Sequence, residues 1–407
     1  MHTKANVGAF PLGASVDLLE LSRDPYPIYG LLQAREPISW IEALGMWYVT
    51  CYEDVRAILM DSRNFTTACE RSLIFDTFGS QMLTTEGAEH ERYRRAVQPH
   101  FSVGFIRKNL DSAIEVSARA LVAGFKDQGM AELRSAIAAR LPIQVILRVF
   151  GLPLEAESRV RAWYDSFERA LANFTWSDAV RREARINGAQ CHDYLAQVMA
   201  EAAENGKTES LLGALVNAPA ETRLSDEEIR RNMLIIFFGG ISTVEALILN
   251  ALWALFTHPA ALARVCADLS LVDRVVEETL RWLSPVQSAT RHVLHATTYK
   301  GVQFAAGDVV NCMLGAANRD QAVFANAACF DIDRPNTQRH LGFATGVHAC
   351  LGFHLAKTEA RIALQVLLGE LRGVAATPEM ASAPEGYEFR QPRSMYVQWR
   401  ATERESI

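Results

Sequence analysis

Apolar residues recur at helical spacing along most of this chain, three or four positions apart, so that successive segments each have one apolar face. Short strand-like segments interrupt this pattern at residues 38–40, 47–50, 302–304, 308–312 and 395–399. No linker, repeat or low-complexity tract divides the sequence. The pattern therefore predicts a mainly α protein, a single domain over residues 1–407 with small β-sheets at its edge. The predicted helices cover residues 28–36, 53–60, 87–100, 103–128, 131–150, 155–172, 177–205, 226–257, 259–268, 271–283 and 354–371.

One predicted helix, residues 226–257, is much longer than the rest and carries its own end signals. Ser225 followed by Glu228 forms a capping box, and the helix ends before a His-Pro pair, because proline disfavours helix at the preceding residue. About 32 residues at 1.5 Å each give a rod of roughly 48 Å. The apolar part could span a bilayer, but Glu245 lies inside it and a charge at mid-membrane is costly. We interpret this segment as a core helix, with a membrane helix as the alternative.

Composition places the chain among ordinary globular proteins. Of its 407 residues 49% are hydrophobic and 22% charged, and the formal net charge of −6 argues against general nucleic-acid binding. The seven cysteines are odd in number and scattered, as is usual in a reducing cytoplasm. Residues 1–8 contain no apolar run of the kind that begins a signal peptide or membrane anchor. A soluble, cytoplasmic protein is therefore expected.

The stretch from Phe343 to Gly352, with the sequence FATGVHACLG, places Cys350 in a glycine-flanked loop just before a predicted helix. The glycines let the backbone approach something flat and bulky, and the helix N-terminus is expected to lower the pKa of the thiol. A thiolate held in this way is a good ligand for haem iron, where it favours cleavage of bound dioxygen. A buried structural cysteine is one alternative. A zinc site of His348, Cys350 and His354 is another, weakened because no second cysteine pair lies nearby.

Two further motifs precede this loop in the chain. Glu278-Thr-Leu-Arg281 lies on a predicted helix that ends before Pro285, and Gly239-Gly-Ile-Ser-Thr243 lies inside the long helix. In this order and spacing the three motifs resemble the cytochrome P-450 superfamily of haem-thiolate monooxygenases, in its soluble bacterial form. The resemblance extends from Asp24 to Trp399. It implies haem b as cofactor, dioxygen as co-substrate and a hydroxylation, epoxidation or dealkylation as the reaction.

The resemblance assigns roles around the haem. Cys350 is expected to be the axial iron ligand, with Phe343 shielding its sulfur and Gly346 and Gly352 shaping the loop, in which Ala344 replaces the glycine usual in the family. A buried charge network is expected to hold this loop from below, made by Glu278, Arg281 and Arg334. Burying the two haem propionates demands cationic partners, and the matching positions are His90, Arg94, Arg291 and His348.

On the opposite side of the haem, the family usually places an acid and a threonine on the long helix to deliver protons. This chain has Thr243 in the threonine position, Gly240 nearby and Ser242 where the acid is expected. A serine can relay a proton but has no carboxyl group to supply one, so a peroxide-driven oxygenase is an alternative. Glu245 could replace the missing acid or could pair with a basic residue. A haem-thiolate sensor is a further alternative, against which Thr243 and the apolar pocket argue.

The substrate and the electron donor are expected to be separate molecules that bind to this chain. No nucleotide-binding glycine fingerprint is present, so electrons are expected from a ferredoxin-type partner, with NAD(P)H serving only through a separate reductase. Five cationic residues near the haem loop are candidates for docking that partner: Arg92, Arg95, Arg339, Lys357 and Arg361. The positions that line the pocket in the family predict a small hydrophobic substrate; in this sequence they are Phe75, Phe78, Met82, Leu83, Phe238, Val286 and Ala289.

Overall fold

A computed structural model of the chain describes residues 9–173, 176–206, 208–377 and 382–400. Residues 1–8, in which the sequence shows no apolar run, lie outside these ranges. Helices dominate the described part and are named here in chain order: α1 Pro11–Ala14, α2 Leu18–Arg23, α3 Tyr26–Arg35, α4 Tyr52–Met60, α5 Leu73–Phe78, α6 Gly87–Val97, α7 Val103–Asn109, α8 Asp111–Ala123, α9 Leu141–Phe150, α10 Glu157–Leu171, α11 Asp178–Asn205, α12 Leu211–Val216, α13 Asp226–Thr257, α14 Pro259–Ala267, α15 Val272–Trp282, α16 Leu314–Ala317 and α17 Phe353–Glu370.

Twelve short strands in the described residues complete the fold: β1 Ile38–Ile41, β2 Met46–Val49, β3 Phe65–Thr66, β4 Met130–Glu132, β5 Ala289–Val293, β6 Thr297–Tyr299, β7 Val302–Phe304, β8 Val309–Cys312, β9 Ala375–Ala376, β10 Pro384–Glu385, β11 Gln391–Pro392 and β12 Tyr396–Gln398. The largest sheet has the order β1-β2-β8-β5-β3 and is antiparallel except between β2 and β8. A three-stranded sheet has the order β4-β12-β9, and β6-β7 and β10-β11 form two-stranded sheets. The mainly α fold with small sheets is the class that the sequence predicts.

Helix α13 runs through the centre of the larger helical core. Its capping box is present: Glu228 N donates to Ser225 Oγ at 3.2 Å, and Ser225 N donates to Glu228 Oε2 at 2.8 Å. Among the described residues, only this helix is long and apolar enough to cross a membrane, and 83% of its most apolar window is buried inside the protein. It packs against α9, α15 and α17, so its apolar surface is covered by other helices on several sides.

The structure differs from the predicted elements in places where tertiary contacts override the local pattern. The predicted helix 103–128 breaks at Leu110 into α7 and α8, and predicted helix 131–150 is wrong in its first half. There β4 pairs with β12 at the protein edge, and a π-helical turn over Arg134–Ala138 precedes α9. Strand β5 was not predicted, because its pairing with β8 and β3 joins segments far apart in sequence. The short helices α1, α2, α5, α12 and α16 were also missed, since each is too short for a clear period.

The two glycines in the middle of α13 have different surroundings. A Cβ at Gly240 would lie 2.7 Å from Ile146 Cδ1 of α9, whereas a Cβ at Gly239 would meet nothing within 4 Å. Both lie within one uninterrupted helix. Gly240 therefore permits close packing of α13 on α9, and Gly239 leaves open space beside the helix.

This contrast predicts opposite effects of two neighbouring alanine substitutions. Each replacement should stabilise the helix by about 1 kcal/mol through backbone propensity, but Gly240→Ala also overpacks the contact with Ile146, at about 1–3 kcal/mol. We expect Gly239→Ala to be at least as stable as the parent protein and Gly240→Ala to be less stable than Gly239→Ala in urea unfolding. Equal midpoints for the two variants would contradict this packing.

Candidate active site

A cavity of about 580 Å³ lies between α13, β5 and the loop that contains Cys350. This volume is in the range of cofactor and ligand sites. Thr243 and Cys350, predicted to act on opposite sides of a cofactor, both line it. So do most of the other predicted site residues: His90, Arg94, Arg291, Phe343, His348, Gly352, Gly240, Met82, Leu83, Phe238, Val286 and Ala289. The structure thus brings residues from remote parts of the sequence to one enclosed space.

The loop that carries Cys350 is folded back on itself by backbone hydrogen bonds. Cys350 N donates to Phe343 O at 2.9 Å, and Ala349 N donates to Gly346 O at 3.0 Å. Gly346 has φ +82°, and a Cβ there would lie 2.7 Å from the carbonyl oxygen of Leu59. Gly346 therefore does not line the cavity but lets the loop pass close to the end of α4.

Ala344 has a left-handed backbone, with φ +55°. This is the position at which the resemblance described above implies glycine. A side chain in this conformation costs roughly 1–2 kcal/mol, because Cβ crowds the following carbonyl oxygen. The loop therefore keeps its shape in spite of local strain at Ala344.

The thiol of Cys350 does not behave as the sequence suggested. Burial raises its pKa, and the opposing effects of the Gly352 backbone N–H and the Arg94 charge are smaller. The helix N-terminus therefore does not by itself give the thiol the low pKa that the sequence predicted, because desolvation of the thiolate outweighs the hydrogen bond. A coordinated metal ion deprotonates a thiol directly, so iron binding does not require a low starting pKa.

Cationic and imidazole side chains at the cavity wall have unused hydrogen-bonding capacity. Arg291 Nη2 and His90 Nε2 are buried and have no hydrogen-bond partner. Within the described ranges, neither Arg291 nor Arg94 forms a salt bridge with a carboxylate. Burial lowers the pKa of both guanidiniums and, with the nearby charges of His348 and Arg94, lowers the pKa of His90 to about 4. Such a set fits an anionic group with several oxygen acceptors, which the two propionates of haem supply.

His348 lies against His90, with ring centroids 4.4 Å apart, and contacts a carboxylate. Its Nε2 is 2.9 Å from Glu86 Oε2 and 3.1 Å from Thr67 Oγ1. Burial of Glu86 opposes its ionisation, but hydrogen bonds from His348 and the Thr67 backbone lower its pKa to about 2. His348 thus couples the haem loop to the residues that precede α6.

A buried charge network lies next to the start of the loop. Glu278 accepts from Arg281 Nε at 2.8 Å and Nη2 at 2.6 Å, and from Arg334 Nε at 3.2 Å. Arg281 Nη1 also donates to Asn318 O at 3.1 Å, and Asn318 Oδ1 accepts the backbone N–H of Leu341 at 2.6 Å. The structure therefore connects the predicted network to the loop through Asn318, a residue that no sequence motif singles out.

The hydroxyl of Thr243 lies on the cavity wall and is oriented by its own helix. Its Oγ1 donates to Gly239 O at 2.7 Å, so its lone pairs are left to accept hydrogen bonds from the cavity. Gly239 and Gly240 also line the cavity, and the open space beside Gly239 lies next to this hydroxyl. Thr243 can therefore hold a water molecule or a ligand hydroxyl at this wall.

Ser242 and Glu245 do not line the cavity. Ser242 is buried beside Tyr164 of α10, because one helical residue turns it about 100° away from Thr243. Glu245 is 0% exposed and accepts from Arg134 at 2.6 Å and Arg161 at 3.1 Å. Ser242 is therefore not placed to relay protons at the cavity, contrary to what the sequence led us to expect. Both carboxylate oxygens of Glu245 are already bound by arginines.

The apolar wall agrees with most of the predicted substrate contacts. Phe75 and Phe78 are exceptions, since neither lines the cavity. Phe78 instead packs in the core against Phe167 and Phe238, at centroid distances of 5.3 and 5.7 Å. The segment that contains Phe78 does contribute to the cavity wall, but the Phe78 side chain itself points into the helical core.

Two carboxyl side chains on this wall were missed. Glu359 of α17 is 1% exposed, its Oε2 has no hydrogen-bond partner among the described residues, and burial raises its pKa well above the ordinary value. Glu388 lies between β10 and β11 and also lines the cavity. Neither stands in a recognisable motif, because the contacts that bring them here join distant segments. Only the folded structure identifies them.

The zinc hypothesis and the docking patch receive no support from side-chain geometry. Across the described part of the chain, no group of three or more His, Cys, Asp or Glu is arranged to hold a metal ion. Each of the five proposed docking cations has a carboxylate partner: Arg92 with Glu228, Arg95 with Glu91, Arg339 with Glu53, Lys357 with Glu277, and Arg361 with Asp111 and Asp273. Their charge is therefore partly neutralised.

Comparisons with known proteins agree with this site. Residues 38–376 match the family Cytochrome P450. The chain is 33% identical over 364 residues to the cytochrome P450 monooxygenase PikC of Streptomyces venezuelae, covering 86% of this chain and 84% of that protein. It is 31% identical to the mycinamicin IV hydroxylase/epoxidase of Micromonospora griseorubida, with 91% and 94% covered. The chain belongs to the cytochrome P450 family; it is a monooxygenase whose cofactor is haem b.

Solved structures show the same architecture. The structure of P450BioI in complex with an acyl carrier protein ligated to hexadec-9Z-enoic acid has a TM-score of 0.87 at 27% identity and covers 94% of this chain and 99% of that one. CalO2 also has a TM-score of 0.87, at 28% identity, with 95% and 99% covered. The predicted family and fold class are thereby confirmed.

The two unusual backbone positions of the loop give a paired prediction. Ala344→Gly removes the left-handed strain and should stabilise the protein by up to about 1 kcal/mol, reduced by the greater entropy of glycine when unfolded. Gly346→Ala places a Cβ against Leu59 O and should destabilise it by roughly 1–3 kcal/mol. Urea unfolding of both variants, together with their haem content after purification, tests this. A Gly346→Ala protein with unchanged stability and haem content would contradict the loop geometry.

Proposed function

We propose that residues 1–407 act as one haem-thiolate domain that inserts an oxygen atom from dioxygen into a small hydrophobic organic substrate, in the cytoplasm. The observation that carries this proposal is the shared cavity, with the Cys350 thiol and the Thr243 hydroxyl on its wall and unpaired cationic groups beside them. A cavity with these groups fits haem b and leaves apolar wall for a substrate. Hydroxylation, epoxidation and dealkylation are all compatible with this arrangement.

Each residue has a separate task in the proposed mechanism. Cys350 would hold the iron, and Arg94, Arg291, His90 and His348 would hold the propionates. Bound haem with a thiolate ligand supplies the activation of dioxygen. The chain's own contribution on the other side is Thr243, whose Oγ1 accepts a hydrogen bond from water while donating to Gly239 O. If this hydroxyl rotated away from Gly239 O, it would donate its hydrogen bond into the cavity instead. It can therefore pass a proton from water toward the cavity.

The buried network has a positioning role in this proposal. Glu278, Arg281 and Arg334 touch no cavity atom but fix the start of the loop through Asn318. The apolar residues that α13 and the segment around Val286 and Ala289 contribute to the cavity wall exclude water, which protects the reaction and favours a hydrophobic substrate. Electrons come from a separate ferredoxin-type protein and its NAD(P)H-dependent reductase.

The ligation is tested by replacing the proposed iron ligand. Wild-type protein, reduced with dithionite and bound to carbon monoxide, should show the strongly red-shifted Soret band of thiolate-ligated haem. Cys350→Ser should lose that band, because a serine hydroxyl is a poor thiolate substitute. Cys266→Ser, at an exposed cysteine of α14, is the matched control and should keep it. A wild-type Soret band typical of histidine ligation, or an unchanged band in Cys350→Ser, would overturn the assignment.

The proposed docking site for the electron donor is tested by replacing Arg95, the most exposed of its five cations. The Arg95 side chain is 83% exposed and lies 3.8 Å from Glu91, so it is only weakly paired. Arg95→Glu should slow electron transfer from an acidic ferredoxin by about tenfold at low salt, with the difference shrinking as salt screens the charges. Arg182→Glu, at an exposed arginine of α11, is the control. Equal rates and equal salt dependence for Arg95→Glu and the parent would remove Arg95 from the docking site.

A further inference from the structure

Glu388 places an acidic group on the wall of an otherwise mainly apolar cavity. It lies where β10 turns into β11, near the cavity end lined by Met46, Ser288 and Thr290. The backbone around it is pinned to the segment after α15: Gln287 N donates to Glu388 O at 2.8 Å, and Arg390 N donates to Pro285 O at 2.8 Å. The carboxyl group is therefore held at a fixed place and is not a mobile surface side chain.

Neutral groups alone satisfy this carboxylate. Asn311 Nδ2 donates to its Oε1 at 2.9 Å, and the Ser288 hydroxyl donates to its Oε2. Asn311 is itself oriented by Thr290, whose hydroxyl donates to Asn311 Oδ1 at 2.6 Å. In the part of the chain that the structure describes, no lysine, arginine or histidine forms a salt bridge with Glu388. The site thus holds a carboxyl group in place and supplies no counter-ion.

The other charged and titratable groups near Glu388 do not supply a counter-ion either. The tyrosines Tyr29, Tyr48 and Tyr387 lie near Glu388, and none of them carries a positive charge. Arg390 is the neighbouring cation, but its Nη atoms donate to the backbone carbonyls of Ser22, Gly386 and Arg23. A guanidinium used in this way anchors the hairpin to α2 and leaves Glu388 without an ion pair.

Burial makes this carboxyl group unusually sensitive to what enters the cavity. Desolvation raises the pKa of Glu388 to about 7, although the hydrogen bonds from Ser288 and Asn311 oppose the shift. Glu388 is half-buried at the cavity wall. A carboxylate that has lost part of its hydration and has no cation beside it is costly, and an incoming cation offsets that cost. A cationic ligand group would therefore bind to the ionised carboxylate and favour ionisation in turn.

We propose that Glu388 anchors the substrate by an ammonium group, and that the substrate is an otherwise apolar molecule with one basic amine at the end remote from the site of oxidation. This inference rests on the proposed monooxygenase function and specifies its substrate class. Ser288, Asn311 and Thr290 act as positioning residues that orient the carboxylate. The apolar part of the molecule then lies along the wall formed by Val286, Ala289 and Phe238.

The test compares three ligands of equal chain length on the haem-containing protein by calorimetry: decyltrimethylammonium, decanol and decanoate. The quaternary ammonium ion cannot ligate iron and does not titrate, so its affinity reports the protein's charge alone. The wild-type protein should prefer it over decanol, and both over decanoate. Glu388→Gln should bind it about tenfold more weakly above the carboxyl's pKa, equivalent to ~1.4 kcal/mol, while its affinity for decanol stays nearly constant.

The sign of the pH dependence follows from the carboxyl group. Below a pKa of about 7 the group is neutral, so the cation affinity of the wild-type protein should rise as the pH increases through that value. The affinity for decanol should stay flat, as should the cation affinity of Glu388→Gln. This wild-type profile tests the proposal even if the variant fails to fold.

Glu359→Gln is the matched control, since Glu359 is a second buried carboxyl on the same cavity wall. It should keep the preference for the cation. Equal affinity of the wild-type protein for the cation and decanol, an unchanged preference in Glu388→Gln, or an equal loss in Glu359→Gln would overturn the anchor. The carbon monoxide spectrum of the same samples separates the two proposals: thiolate-ligated haem without a cation preference defeats the anchor alone.

Discussion

The charge pair between Glu278 and Arg281 is the interaction on which the site most depends. Both side chains are 0% exposed, so the cost of burying each charge is offset only because the opposite charge lies beside it. Arg281 also binds the carbonyl groups of Asn318, Ala327 and Cys329, and thereby ties α15 to the long segment before the haem loop. Removing either charge would strand its partner, costing about 3–5 kcal/mol. The buried network therefore holds the segment that leads into the loop, and the loop's own backbone hydrogen bonds then fold it around Cys350.

The opposite wall depends on a different constraint, the burial of a long apolar helix. α13 must be covered on several sides, and the helices that cover it also determine which of its residues remain open. All three of Gly239, Gly240 and Thr243 line the cavity, but a side chain at Gly240 would meet Ile146 of α9, whereas the space beside Gly239 is open. Glu245 is neutralised by two arginines behind the helix. The helix thus keeps the carboxylate of Glu245 on its closed side, while the residues that it contributes to the cavity are uncharged.

The sequence predicted what depends on local signals and on the resemblance. The capping box of α13 is of this kind and is present. The predicted haem-binding residues His90, Arg94, Arg291, His348 and Cys350 line one cavity, and their roles toward haem stay predictions. Arg291 was selected without the strand that holds it, because β5 is defined by distant pairing. Ser242 and Phe78 were placed on the cavity, although spacing along a helix does not fix which neighbour each side chain meets. Glu388 has no motif at all, and only the pairing of remote segments gives it a role.

Strand β5 has two tasks on one face. Ala289 and Arg291 are two residues apart, so both side chains point to the same side of the sheet, and both line the cavity. In the proposed function, Ala289 contributes wall for the substrate and Arg291 a cation for the cofactor. In the proposed function, substitutions that adapt this strand to a new substrate would also change the contacts that hold haem. Divergence in substrate range among relatives should therefore accumulate in the segment around Met82 and in the β10-β11 turn, while β5 changes slowly.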